Sequence, residues 1–177
     1  ATATQLITVS DGEGPTITAP ESIAVEATGA TTAVNLGSAV ASDVVDGVLT
    51  AVADKQGPFA LGTHTVTWTA TDSSGNKATA QQTVEVKDTN APTIAAPAGQ
   101  NLEATGVLTA VSLGMAAVSD SVDTAPIAAA DKTGPFEVGT HSVKWTGTDA
   151  SGNSATATQT IVVIDSTSPK VTAPENI

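Results

Sequence analysis

Hydrophobic and polar residues alternate along residues 64–76, which read HTVTWTATDSSGN. Val66, Trp68 and Ala70 fall on one face, and Thr65, Thr67, Thr69 and Thr71 on the other. A period of two marks a half-buried strand. Asp72-Ser-Ser-Gly-Asn76 supplies turn chemistry, because Gly and Asn tolerate positive φ and Asp and Ser side chains bond turn backbone. Ala78, Ala80, Gln82, Val84 and Val86 then resume the alternation. The pattern predicts a long β-hairpin with Trp68 as its largest core anchor. The hairpin returns at residues 141–153, HSVKWTGTDASGN.

The recurrence extends over the whole chain. Asp11, Asp88 and Asp165 are 77 residues apart, and residues 12–88 match residues 89–165 at 44 of 77 positions. Such self-similarity reads as tandem duplication. Ala1–Asp11 matches Ala155–Asp165, and residues 166–177 match the opening of a repeat. The expected organisation is therefore residues 1–11 as the last strand of a preceding repeat, 12–88 and 89–165 as complete repeats, and 166–177 as the start of another. On this reading the chain is a window in a longer array.

Within the first repeat, strands are expected at 16–19 with 23–27, at 32–36 (TAVNL), at 49–53, over the Trp68 strand and over the last strand. Polar loops are expected at Ser42–Gly47 and Asp54–Pro58. No segment carries an apolar period of 3.6, and the Thr, Val and Gly content opposes helix. Short strands with regular turn signals in about 80 residues imply all-β architecture, as tandem Ig-like β-sandwich domains.

Composition narrows the function. Six Lys and Arg against 18 Asp and Glu give a net charge of −12. That opposes binding to nucleic acid or an anionic membrane surface and favours cations. There is no Cys, so no disulfide framework, and no apolar run long enough to insert in a bilayer. His64 and His141 stand without a nucleophile beside them, and no glycine-rich phosphate loop exists, so no enzyme is expected. Gln82 and Gln159 fall on apolar faces and are expected to bond neighbouring backbone. Asp54 and Asp131 read as surface turn residues.

Strand alternation places the acidic residues. If the first strand runs down and the Trp68 strand up, Asp11, Asp43, Asp46 and Asp72 gather at the top of the first repeat. Asp88, Asn90 and Glu26 gather at its foot, where Asp120, Asp123 and Asp149 of the second repeat would join them. Glu103 and Asp165 are the matching foot of the second repeat. Ca2+ takes about six to eight oxygen ligands from carboxylates, amides, backbone and water, and such a junction could supply them. The competing reading is that loop aspartates are turn formers and solubilisers.

The order Ile23-Ala-Val-Glu-Ala27, Ala41-Ser-Asp43, Asp46-Gly47, Phe59-Ala-Leu-Gly62, Thr65–Asp72, Ser74-Gly-Asn76 and Val84-Glu-Val-Lys-Asp88 resembles the hyalin-type (HYR-like) repeat and kindred Ig-like repeats of large bacterial surface proteins. The resemblance covers both repeats. Animal versions carry a cysteine pair, and Trp68 and Trp145 stand at one cysteine position, a departure that points to a bacterial cousin. The linker Asp88–Pro92 is also similar to the calcium-binding linkers between cadherin repeats, a likeness read as convergent. The resemblance implies extracellular, multi-copy spacer or stalk domains of adhesin-type proteins, partnered by neighbouring repeats. Other readings remain. One is a fibre subunit joined to other copies by strand addition through Ala1–Asp11. Another is a module binding carbohydrate or a host protein, and a third a phage or virion decoration domain. A binding module would need an exposed aromatic or apolar patch, which this composition is not expected to offer.

Overall fold

A computed structural model of the chain describes residues 1–173. The chain divides after Asp88 into two compact units. Each is a β-sandwich, so the architecture is all-β with tandem Ig-like domains.

In the first unit, β1 (Thr16–Thr18), β3 (Val40–Asp43) and β4 (Gly47–Leu49) form one sheet in the order β1-β3-β4. The other sheet has the order β2-β7-β6-β5, from β2 (Ile23–Glu26), β5 (Val52–Ala53), β6 (Gly62–Thr71) and β7 (Lys77–Lys87). The expected hairpin is β6–β7, with Trp68 opposite Ala80 and Val66 opposite Gln82. Its alternation decides which side chains leave water. Val66, Trp68, Ala70, Val84 and Val86 are buried, and so are Ala41, Phe59 and Leu36. Burying an aliphatic side chain of this kind contributes about 1.5–3 kcal/mol. The last strand is closed by a parallel ladder, Ile23 opposite Val84 through Glu26 opposite Lys87.

Gln82 is 1% exposed and fully satisfied. It accepts from Trp68 Nε1 at 3.1 Å and donates through Nε2 to the carbonyls of Glu21 (2.9 Å) and Leu36 (3.0 Å). Gln159 repeats the arrangement with Trp145, Ala98 and Leu113.

Three strand expectations change. Residues 32–36 form no strand. Their only ladder-like contact among the described residues is the bridge between Thr32 and Phe59. The Leu36 carbonyl is taken by Gln82, and the Asn35 side chain accepts from the Gly37 amide, so the segment turns instead of pairing. The missing strand is Val40–Asp43, which lies partly in the expected polar loop because its outward positions are polar or exposed. The expected strand at 49–53 is split between the sheets as β4 and β5. The up-and-down order nevertheless holds, since Val40–Asp43 takes the place of 32–36.

The second unit pairs β8 (Thr93–Ala95) with β10 (Ala117–Ser119), and sets β11 (Ile127–Ala130), β12 (Gly139–Thr148), β13 (Ser154–Ile164) and β9 (Gln100–Glu103) in the order β11-β12-β13-β9. Leu113, Phe136, Val143, Trp145, Ile161 and Val163 make its core. It has no counterpart of β4. Gly47 closes the β3–β4 turn at a φ of 73°, a conformation costly for any residue with a Cβ. Its equivalent is Thr124, and Pro126 replaces Leu49, removing a ladder donor.

Candidate functional site

The acidic end of the first unit is built from the β6–β7 turn. Asp72 follows β6 and is buried in the turn. Its Oδ1 accepts from the Asn76 amide and its Oδ2 from Asn76 Nδ2, both at 2.8 Å. Burial works to raise its pKa. The Asn76 side chain together with the amides of Asn76, Gly75 and Ser74 outweighs that, so the carboxyl sits below its ordinary value and stays ionised. Asn76 Nδ2 also reaches the Asp11 carbonyl at 3.4 Å, tying the incoming chain to the turn.

Asp46 approaches from the β3–β4 turn. Its carboxylate accepts from the Ser73 amide at 3.0 Å and from Ser73 Oγ at 2.8 Å. Asp43 faces its own turn, accepting from the amides of Val45 (2.7 Å) and Asp46 (3.1 Å). Asp11 accepts from the Glu13 amide through Oδ1 at 3.1 Å, whereas its Oδ2 is buried with no hydrogen-bond partner. One carboxylate oxygen from each of Asp11, Asp46 and Asp72 lies within 4.8 Å of the others. Three like charges this close repel one another unless a cation lies between them. Hard oxygen donors with one orphaned buried oxygen fit a calcium-type ion.

The remaining expected residues are distributed differently. Asp88 follows β7 and is buried, Glu26 ends β2, and Asn90 is exposed at the start of the second unit. Asp120 accepts from the amides of Asp123 and Val122, which hold its carboxyl below the usual range. Asp123 accepts from the amides of Ala125 and Ala150, each at 2.9 Å. Asp149 is buried and held by Asn153, as Asp72 is by Asn76.

Glu103 does a different job. Its carboxylate accepts from the Ser166 amide (2.7 Å), Ser166 Oγ (2.8 Å) and Thr167 Oγ1 (3.1 Å). The Ser166 amide is the main cause of its lowered pKa, followed by the Ser166 hydroxyl. Asp165 accepts from the Thr167 amide at 3.1 Å. These two residues clamp the outgoing chain against the end of β9. Sequence reasoning missed this clamp, and it missed Ser73 as the partner of Asp46. The available signals were a glutamate ending the strand parallel to the last one and hydroxyl residues just after the closing aspartate.

Asp54 and Asp131 are more than surface turn residues. Their Oδ1 atoms accept from the amides of Thr67 and Lys144 at 2.8 Å and prolong the pairing beyond β5 and β11. His64 Nε2 lies 2.8 Å from the Ala60 carbonyl, and the His64 ring packs against Phe59. His141 does the same with Glu137 and Phe136. Among the described residues no helix is long and apolar enough to cross a membrane.

Comparison with known proteins follows the same repeat. Hyalin from Strongylocentrotus purpuratus is 31% identical over an alignment of 137 residues that covers 67% of this chain. The chain spans 11% of that curated relative's length. Among solved structures, the first two extracellular repeats of human protocadherin-24 superpose with a TM-score of 0.40 at 14% identity, covering 88% of this chain and all of that one. Mouse cadherin-23 repeats 22–24 give a TM-score of 0.39 at 14% identity, covering 85% of this chain and 67% of that one. A family model described as HYR domain matches residues 10–86 and again residues 87–163. The chain belongs to the HYR domain family, of which it carries two tandem members.

Proposed function

We propose that the chain is a non-catalytic spacer from an extracellular, adhesion-type protein of a bacterial cell surface, and that Ca2+ stiffens it at the ends of its repeats. The tandem HYR domains support the repeat-module part of this reading. Residues 1–11 would then complete a preceding repeat and residues 166–177 begin a following one, so neighbouring repeats of the same chain are the natural partners. The absence of Cys supports the bacterial origin, since animal versions carry a cysteine pair.

The single observation that carries the ion is Asp11. Its Oδ2 is buried without a hydrogen-bond partner, and one of its carboxylate oxygens lies within 4.8 Å of one from each of Asp46 and Asp72. The same positions recur in sequence as Asp88, Asp123 and Asp149. Bound to the folded state alone, Ca2+ would raise stability by mass action.

The test is the thermal melt in millimolar Ca2+, in Mg2+ and in excess chelator. A rise of several degrees with Ca2+ and not with Mg2+ is expected. Asp11→Asn removes a charge that makes no bond through Oδ2, so in chelator the variant should melt no lower than the parent. In Ca2+ it should lose part of the gain, and Asp11→Asn with Asp88→Ala most of it. Identical melts of the parent in Ca2+ and chelator would sink the calcium reading and leave a metal-free spacer.

A further inference from the structure

Two Asp–Gly pairs occur in the sequence, Asp11-Gly12 and Asp46-Gly47. Glycine has no side chain to shield its amide nitrogen, so an aspartate just before it is the most open to attack on its own carboxyl group. The two pairs are held differently. The Asp46 carboxylate accepts from the Ser73 amide and hydroxyl on the β6–β7 turn, and Gly47 is paired with Asp43 in the β3–β4 ladder. Asp11 instead curls over its own glycine. Its Oδ1 accepts from the Glu13 amide at 3.1 Å, a turn that encloses the Gly12 nitrogen and brings Cγ towards it. Gly12 is exposed and lies outside any strand, and a Cβ built on it would meet nothing within 4 Å. Asp43, Asp120, Asp123 and Asp165 make the same side-chain turn, but a residue with a side chain follows each of them. Among the described residues the turn and the glycine coincide at Asp11.

We propose that Asp11-Gly12 is a site of spontaneous covalent isomerisation, and that the cation held by Asp11, Asp46 and Asp72 slows it, a second part that rests on the calcium reading. The Gly12 nitrogen attacks Cγ of Asp11. An N–Cγ bond forms, a Cγ–O bond breaks, and the carboxyl hydroxyl leaves with the amide proton as water, closing a cyclic succinimide. Water then opens the ring at either carbonyl. Opening at the backbone carbonyl leaves the chain running through Cγ, so the main chain gains a methylene and the carboxylate stands directly on Cα. No electrons are exchanged, and the water lost is regained. The isoaspartate has a shorter reach towards Asp46 and Asp72, and it lengthens the segment that the Asn76 side chain ties at the Asp11 carbonyl. A cation bonded to the carboxylate holds it off the Gly12 nitrogen. The joint therefore ages when the cation is scarce. Asp11→Asn closes the same ring with loss of ammonia, so that variant is melted fresh.

The whole chain is aged for weeks at neutral pH in excess chelator or in millimolar Ca2+, digested, and read by electron-transfer fragmentation, which separates aspartate from isoaspartate. In chelator, isoaspartate should build up at residue 11 about tenfold or more faster than at Asp46, Asp88 or Asp165. Ca2+ should slow it several-fold, and the chelator-aged chain should keep less of its Ca2+-dependent gain in melting temperature. Gly12→Val has room for its side chain, so it should melt like the parent when fresh and form no isoaspartate at residue 11. Asp11 reacting no faster than Asp46 would overturn the proposal, because the dipeptide is the same and only the geometry differs. If Ca2+ raises the melt yet leaves the rate at residue 11 unchanged, the protection is overturned and the calcium reading stands. If Ca2+ does neither, both fall.

Discussion

Trp68 donates its indole N–H to Gln82 at 3.1 Å from a position diagonal to it on the inner face of the β6–β7 hairpin. Gln82 passes the connection to the Leu36 carbonyl, on a segment that forms no strand. One side chain thus joins the largest core residue to the stretch that would otherwise leave its backbone unpaired. Gln82→Leu should strand the indole N–H and that carbonyl, both buried. Each stranded group costs about 1–3 kcal/mol, so the first unit should lose about 2–6 kcal/mol in urea unfolding. Gln159→Leu should do the same to the second.

The Glu103 clamp should titrate. Hydrogen bonds from Ser166 and Thr167 hold the folded carboxyl below its ordinary value. A depressed folded pKa gives stability that is present above the unfolded value and is lost as pH falls through the folded one. Glu103→Gln should therefore melt lower than the parent at pH 7. The two curves should converge in acid, where the parent glutamate is protonated. Parallel melting curves from neutral pH into acid would show that the clamp contributes nothing.

Core volume is traded between the sheets. Gly147 occupies the place of Ala70, and Val118 that of Ala41. A Cβ on Gly147 would stand 2.9 Å from Val118 Cγ2 and 3.3 Å from Ile94 Cβ. Gly147→Ala should cost about 1–3 kcal/mol by overpacking. Gly147→Ala with Val118→Ala should recover part of that loss, because it recreates the first unit's pairing. A double mutant no better than the single, measured by denaturant unfolding, would refute the trade.

The β3–β4 turn depends on Gly47. Placing a Cβ at a φ of 73° costs about 1–2 kcal/mol. Gly47→Ala should accelerate amide exchange in β3 and β4 while leaving β6 and β7 protected. Uniform acceleration across the first unit would show instead that the hairpin unfolds only with the whole domain.

Strand polarity and the core were legible in sequence because alternation is a local signal. Trp68, Val84 and the buried Gln82 each announced which way they face. The gathering of Asp11, Asp46 and Asp72 followed from counting strand directions, and that count survived the exchange of residues 32–36 for Val40–Asp43. What did not show was anything set by competition for hydrogen bonds. TAVNL has strand composition, yet Gln82, 46 residues away, takes its carbonyl. Glu103 looked like one more acidic residue at a foot, because its donors lie 63 and 64 residues further on. Val40 and Val48, exposed on β3 and β4, escaped notice because Val is equally at home in a strand on either face.

The parallel ladder between β2 and β7 has a consequence for a chain under tension. β7 is the last strand of the first repeat and β2 its second, reached from the entering chain through β1, and the two lie side by side pointing the same way. Once β1 has parted from β3, a pull on both ends drags β2 towards its start and β7 towards its finish. All four residue pairs from Ile23–Val84 to Glu26–Lys87 are then loaded together in shear, where an antiparallel terminal pair would be peeled open one bond at a time. The second unit has the same ladder between β9 and β13. Each repeat therefore resists extension with this whole parallel ladder at once, and a row of them would yield one domain after another, absorbing work with every step.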